Sequence, residues 1–126
     1  MSNFFAELEA GFKNHADQPA LILSGQDDWS YAELLLQINR AAAELAAIGA
    51  GAGDRVLVQL PKSSENLALY LACLKLGLVY VPLNTGYTPA EVDYFVGDAQ
   101  PKLVICDPKS QEGLQSICEN HGAQLK

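Results

Sequence analysis

Residues 74–84 read Leu-Lys-Leu-Gly-Leu-Val-Tyr-Val-Pro-Leu-Asn, an apolar helix that stops at a glycine and gives way almost at once to a buried strand. Gly77 lets the chain leave the helix through a left-handed conformation that a residue with a Cβ resists. Pro82 has no N–H to donate, so it can close the strand but not carry it through a sheet interior. The same alternation continues on both sides of this junction. Apolar runs at residues 56–60, 79–82 and 103–106 read as strands, and the stretches between them read as helices. Strand, helix and strand in that order imply right-handed crossovers, and hence an α/β fold with a mostly parallel sheet and packed helices. The continuous apolar runs at 79–82 and 103–106 suit strands buried on both faces.

Ahead of this alternation, Phe4, Phe5, Leu8 and Phe12 recur at helical spacing with Ser2 as N-cap, a stripe that docks on a core. Residues 19–24 read as a strand, and 25–28 as a tight turn into a short return strand ending at Trp29, which together make a hairpin. Ser30 and Glu33 have the spacing of a capping box, and Trp29 is placed to staple onto Leu34. Tyr31, Leu34, Leu35, Ile38, Ala42, Leu45 and Ile48 then line one face of a long helix ending at Gly49. The helix over residues 67–76 is apolar nearly all round, with Lys75 as its only charge, and must be covered on several sides. Thr88 and Glu91 form a second capping box with Pro89 at the first helical position, while Val92, Phe95, Val96 and Ala99 supply the buried face. After Asp107-Pro108 a helix containing Leu114, Ile117 and Cys118 runs to about Gly122, and residues 123–126 begin another strand.

At 126 residues, 49% of them apolar, the chain can bury the core of one compact domain, and general disorder is excluded. Its net charge of -7 comes from 15 acidic against 8 basic side chains, and no Lys/Arg cluster stands apart. Nucleic acid is therefore a poor partner, because phosphate binding needs a basic face that releases counterions. Cys73, Cys106 and Cys118 have no C-x-x-C spacing and lie in apolar contexts, so reduced core thiols in a reducing compartment are expected. Residues 1–10 carry Glu7 and Glu9 and no basic flank, unlike a signal peptide. No apolar run approaches the roughly 18 to 20 residues of a membrane span. A soluble, cytoplasmic protein with no membrane partner is the expectation.

Few residues offer themselves for chemistry. The glycines of residues 49–53 follow a helix and precede a strand, the reverse of the order that points helix N–H groups at a phosphate, and they read as a flexible return connection. Residues 61–66 open a helix at a strand's carboxyl end and include Lys62, but no glycine precedes it, and Ser63 is explained by capping. His15 and His121 have no acidic or cysteine partner at ligand spacing, which gives them loop or helix-end roles rather than metal binding. Tyr80, Asn84 and Tyr87 stand where a substrate cleft could be edged, though core packing and turn formation explain them with fewer assumptions. No residue is assigned a catalytic, cofactor-binding or metal-binding role.

With these elements placed, Trp29-Ser30-Tyr31-Ala32-Glu33-Leu34, Gly53-Asp54-Arg55-Val56 and Lys75-x-Gly77-x-x-Tyr80-Val81-Pro82-Leu83-Asn84 follow the order and spacing found at the start of the adenylate-forming superfamily of acyl-CoA synthetases, luciferases and peptide-synthetase adenylation domains. The chain resembles that superfamily over almost its whole length. Residues 82–88, 91–95 and 101–108 look most like malonyl-CoA synthetase, with Thr85 where many relatives have proline. The resemblance implies that residues 1–126 are an incomplete N-terminal portion of the large AMP-binding domain of such a ligase.

Members of the superfamily activate a carboxylic acid with ATP and magnesium to an acyl-adenylate and pyrophosphate, and the thiol of coenzyme A then displaces AMP. For malonyl-CoA synthetase the acid is malonate. Such chemistry needs donors and a cation around the phosphates and a lysine near the carboxylate. The family's Ser/Thr/Gly-rich loop ending in Pro-Lys-Gly, its Tyr-x-x-Thr-Glu and Thr-Gly-Asp segments and its C-terminal lysine have no counterpart in these residues. The resemblance therefore implies a fragment that is inactive alone, binds no ATP, Mg or CoA itself, and has the remainder of the ligase as its partner or, through an uncovered sheet edge, another copy of itself. The competing expectation is a free-standing α/β binding or interaction module that kept the scaffold and lost the ligase chemistry. A reading frame continuing past Lys126 into the Pro-Lys-Gly loop favours the first, and a stop codon the second.

Overall fold

In the computed structural model, which describes residues 2–14, 19–21 and 29–125, the junction at Gly77 forms as its sequence requires. Gly77 takes φ 73° and ψ 22°, and its N–H turns back to the carbonyls of Cys73 and Leu74. The chain packs as two compact units, one of Met1–Gly51 with Lys62–Gly77 and one of Ala52–Pro61 with Leu78–Lys126.

The first unit is helical, with a small hairpin. It comprises α1 (Ser2–Asn14), β1 (Pro19–Leu21), β2 (Trp29–Ser30), α2 (Tyr31–Ile48) and α3 (Ser64–Leu76). Helix α1 contains Ser2 rather than starting after it. Phe5 is buried as the aromatic stripe requires, while the side chains of Phe4, Leu8 and Phe12 lie outside the description. Strands β1 and β2 pair antiparallel, with Pro19 opposite Ser30 and Leu21 opposite Trp29, so the hairpin is present. Residues 22–28, which include the expected turn, lie outside the described residues. Helix α2 opens with Ser30 Oγ accepting the Glu33 N–H at 3.1 Å. The reciprocal half of that box is not formed, because the Glu33 carboxylate takes the Gln37 side-chain amide at 2.9 Å. Leu34, Ile38, Ala42 and Leu45 form the buried face, and Gly49 caps the helix at φ 99°.

Helix α3 is covered on several sides, as expected, but not all round. Ala68, Leu71, Ala72 and Cys73 are buried, but Leu74 is only half-buried and Tyr70 is 44% exposed, so one side of the helix faces water. Its one lysine is used within the unit. Lys75 Nζ donates to Asn39 Oδ1 at 2.7 Å, pairs with Glu9 at 3.3 Å and stands 5.6 Å from the centroid of the Phe5 ring. One lysine thereby ties α1, α2 and α3 together, with its apolar stem covering core and its head reaching polar partners.

The second unit holds β3 (Arg55–Gln59), β4 (Val79–Pro82), α4 (Pro89–Ala99), β5 (Leu103–Cys106), α5 (Pro108–His121) and β6 (Gln124–Leu125). The strands form a parallel sheet in the order β4-β3-β5-β6, the α/β architecture expected from the alternation. Leu57, Val104 and Cys106 project from one face of the sheet into a cluster with Val92 and Val96 of α4 and Leu114 and Cys118 of α5. Val56, Val58 and Leu103 alternate with them and are also buried, so β3 and β5 are covered on both faces as their apolar runs demanded.

Strand β4 corrects the reading of residues 79–82. Among the described residues it lies at the sheet edge with only β3 beside it, and Val79 is 45% exposed. Position in the sheet decided its burial, and composition did not reveal that position. Pro82 fits such an edge, where a missing N–H leaves no ladder bond broken.

Helix α4 carries the full capping box. The Glu91 N–H donates to Thr88 Oγ1 at 3.3 Å, the Thr88 N–H donates to Glu91 Oε1 at 3.1 Å, and Pro89 occupies the first turn. Thr88→Ala is expected to destabilise the chain by about 1 kcal/mol, the usual loss for an N-cap. Chemical denaturation is the check. An unchanged midpoint would show that these two bonds contribute nothing net.

Candidate functional site

Because the strands of the second unit are parallel, their carboxyl ends share one edge, the place where open α/β sheets bind ligands. A hollow of about 220 Å³ opens there, lined by Gln59, Pro61, Thr85, Asp107, Lys109 and Ser110. Gln59 ends β3 and is 6% exposed. Its side-chain amide donates to the carbonyl of Asn84 at 3.1 Å and, more weakly, to that of Tyr87 at 3.4 Å.

These bonds hold the connection from β4 to α4 against the end of β3. Within it Asn84 Oδ1 accepts the Gly86 N–H at 2.8 Å, and the Asn84 carbonyl accepts the Tyr87 N–H at 3.1 Å. Asn84 thus makes the turn expected of an asparagine. The Tyr87 ring stacks on Phe95 at 5.2 Å, so Tyr87 packs as the economical reading had it. Gln59 went unremarked in the sequence. The signal was there, since a glutamine inside the apolar run at residues 56–60 needs a hydrogen-bonding reason to be buried.

Across the hollow α5 begins at Pro108 with Asp107 in the N-cap position, but the Asp107 side chain makes no cap hydrogen bond. Lys109 and Ser110 follow in the first turn. The hollow therefore presents one ammonium, two hydroxyls and one carboxylate. This set can hydrogen-bond a small polar group, but it contains no nucleophile paired with a base and no pair of carboxylates for acid and base work.

Ser63 Oγ accepts the Asn66 N–H at 3.0 Å and caps α3, as its capping reading required. Gly49 and Gly53 take φ 99° and 88° on either side of the connection from α2 to β3, the backbone freedom expected of a return connection. His15 lies outside the described residues. His121 ends α5, the helix-end place expected of it, and the fold adds a partner that its sequence spacing did not show: its Nε2 lies 2.7 Å from Asp93 Oδ1 with the carboxylate as acceptor. That partner is 28 residues away and reaches it only because α4 and α5 pack side by side. Gly97 makes room for the ring, since a Cβ there would stand 3.2 Å from His121 Cε1.

Cys73, Cys106 and Cys118 are buried free thiols, as expected. Burial pushes each thiol upward in pKa, with Asp107 adding to the effect at Cys106 and Cys106 at Cys118. They are poor nucleophiles at neutral pH.

No strand-to-helix turn of the described residues carries a run of glycines, Ser63 already occupies the start of α3, and no group of three or more His, Cys, Asp or Glu side chains converges among the described residues. Nor is any helix among them long and apolar enough to cross a membrane.

A family model described as AMP-binding enzyme matches residues 8–125. A probable CoA ligase of Humulus lupulus is 33% identical over 109 residues, covering 86% of this chain and 21% of its own length. The 3-hydroxybenzoate–CoA ligase of an Aromatoleum species is 35% identical over 102 residues, covering 81% of this chain and 19% of its own length. The crystal structure of apo MatB from Rhodopseudomonas palustris superposes with a TM-score of 0.91 at 44% identity, covering 98% of this chain and 24% of that one. A benzoate CoA ligase from Burkholderia xenovorans superposes at 0.85 with 26% identity, covering 97% and 25%. The chain therefore spans about a fifth of the curated relatives' length and about a quarter of the solved ones'. With the family match running almost from end to end and the fold superposing over nearly every residue, this chain belongs to the AMP-binding enzyme family.

Proposed function

We propose that this chain is the opening scaffold of an ATP-dependent acid–CoA ligase acting on malonate, and that it is inactive alone. The observation that carries this reading is the likeness to MatB, which extends over 98% of this chain and only 24% of that one. The identity of 44% to MatB against 26% to the benzoate CoA ligase, together with the malonyl-CoA synthetase resemblance of residues 82–88, 91–95 and 101–108, supports malonate as the acid. On the same reading ATP, Mg and CoA bind to the remainder of the ligase, and this portion supplies the sheet and helices on which that remainder is built. The remainder is the natural partner. In its absence the exposed Val79 on edge strand β4 favours pairing with a second copy. A ligase of this kind works in the cytoplasm.

The test has two arms. The purified 126-residue chain should give no malonate-dependent exchange of pyrophosphate into ATP above an enzyme-free control. A chimera in which this chain replaces the matching quarter of MatB should retain the acid-dependent exchange of intact MatB within about tenfold. Exchange by the chain alone, surviving further purification, contradicts its inactivity. A chimera that folds and is inert contradicts the scaffold reading and favours a free-standing module.

A further inference from the structure

The opposite edge of the sheet, at the amino ends of the strands, carries a larger hollow of about 530 Å³. Three turns distant in sequence meet there: the one before β3 brings Asp54 and Arg55, the one before β5 brings Gln100 and Lys102, and the end of α5 brings His121. In a chain of net charge -7 without any run of basic residues, two permanent cations facing one hollow are a feature that only the fold creates.

The backbone places them together. The Lys102 N–H donates to the Arg55 carbonyl at 2.9 Å, and the Lys102 carbonyl accepts the Gln124 N–H at 3.1 Å. Arg55 and Lys102 thus stand side by side at the starts of paired strands, about 5 Å apart at the backbone.

The arginine is also oriented. Its Nη1 donates to the Ala99 carbonyl at 2.8 Å, which uses one of five guanidinium N–H groups and leaves the rest of the fork available. Ala99 is the last residue of α4, and the following Gln100 is held at φ 48° and ψ 60°. It is the non-glycine residue at positive φ among those described. Strain of this kind collects at sites where geometry serves a ligand. The Lys102 ammonium has no hydrogen-bond or ion-pair partner among the described residues. Asp54 is the opposing carboxylate in the lining, and His121 is already engaged with Asp93.

We infer that this hollow binds a small phosphorylated anion, with the Arg55 fork and the Lys102 ammonium on its phosphate and Gln100 beside it. A doubly charged phosphate suits two adjacent cations better than a single carboxylate does, and the volume exceeds what a bare ion fills. Two cations with no basic stripe around them do not suit a nucleic acid. The inference does not depend on the ligase reading, because the site lies at the edge of the sheet away from the carboxyl ends.

Inorganic phosphate is the probe, titrated into the ¹⁵N-labelled 126-residue chain with sodium chloride adjusted to hold ionic strength constant. Saturable amide shifts are expected at Gly53, Arg55, Lys102 and Gly122. Lys102→Gln should weaken the apparent affinity at least fivefold, Arg55→Gln should do so at least equally, and Lys109→Gln at the other edge should leave it unchanged. If Arg55→Gln disturbs the fold through loss of the Ala99 bond, Lys102→Gln carries the result. Shifts that never saturate, that persist unchanged in Lys102→Gln, or that centre on Lys109 and Ser110 overturn the site.

Discussion

Leu57→Ala is expected to lower stability by about 2 to 5 kcal/mol, the range for removing a large aliphatic side chain from a site that cannot collapse around the gap. Leu57 is 0% exposed and sits on β3 with β4 paired on one side and β5 on the other. Val92 and Val96 of α4 share its cluster, and Val104 of β5 lies beside it in the ladder, all held by elements that cannot move into the cavity without breaking ladder bonds or the α4 cap. Domains are stable by only about 5 to 15 kcal/mol, so the loss is a large fraction of the total. Val79→Ala, on the exposed edge strand, is the matched control and should cost well under about 1 kcal/mol. Urea denaturation with an unchanged slope reads both. A Leu57→Ala loss of only a few tenths would mean that the core between this sheet and α4 is not packed as described.

The contrast between Leu57 and Val79 marks what the sequence made legible. Both lie in short apolar runs flanked by turn residues, and period alone assigns both to strands. Which of them is central follows from the order β4-β3-β5-β6, and strand order is a property of the crossovers rather than of any local pattern. Helix ends were legible because capping is local chemistry. Ser30, Ser63 and Thr88 each accept an N–H three residues on, and Gly49, Gly77 and Gly122 each close a helix at positive φ. Gln100 closes α4 at positive φ without being glycine, and no local rule announces that.

Long-range polar pairs were the least legible. Asp93 with His121, Gln59 with Asn84 and Lys75 with Glu9 span 28, 25 and 66 residues, and only packing brings them together. The candidate hollows share this origin. Each is assembled from turns that follow or precede different strands, so its lining has no spacing in sequence to detect. The family resemblance was legible for the opposite reason, since it rests on contiguous cap, turn and strand residues that also dictate the local fold.

Cys73 leads to an alkaline instability. It is 0% exposed on α3, and burial raises its thiol from 9.0 to about 11, because a thiolate there would be stripped of water without a compensating cation. The folded chain therefore holds this proton more tightly than the unfolded chain does. Below pH 9 both states are protonated and the contribution is fully present. As pH rises from 9 toward 11 the unfolded state deprotonates first, and stability falls by on the order of 2 kcal/mol. Cys106 and Cys118, raised chiefly by burial, push the same way in the other unit. Lysine and tyrosine side chains also titrate in this range, so the diagnostic is a difference between proteins rather than one curve. Cys73→Ala should lose some stability at pH 7 through the vacated volume, and should then lose less than the parent between pH 8 and 11. The gap between the two curves of unfolding free energy against pH narrows by on the order of 2 kcal/mol. Parallel curves across that interval would show that the Cys73 thiol ionises in the folded chain as readily as in water, and that α3 is open to solvent where it is described as closed.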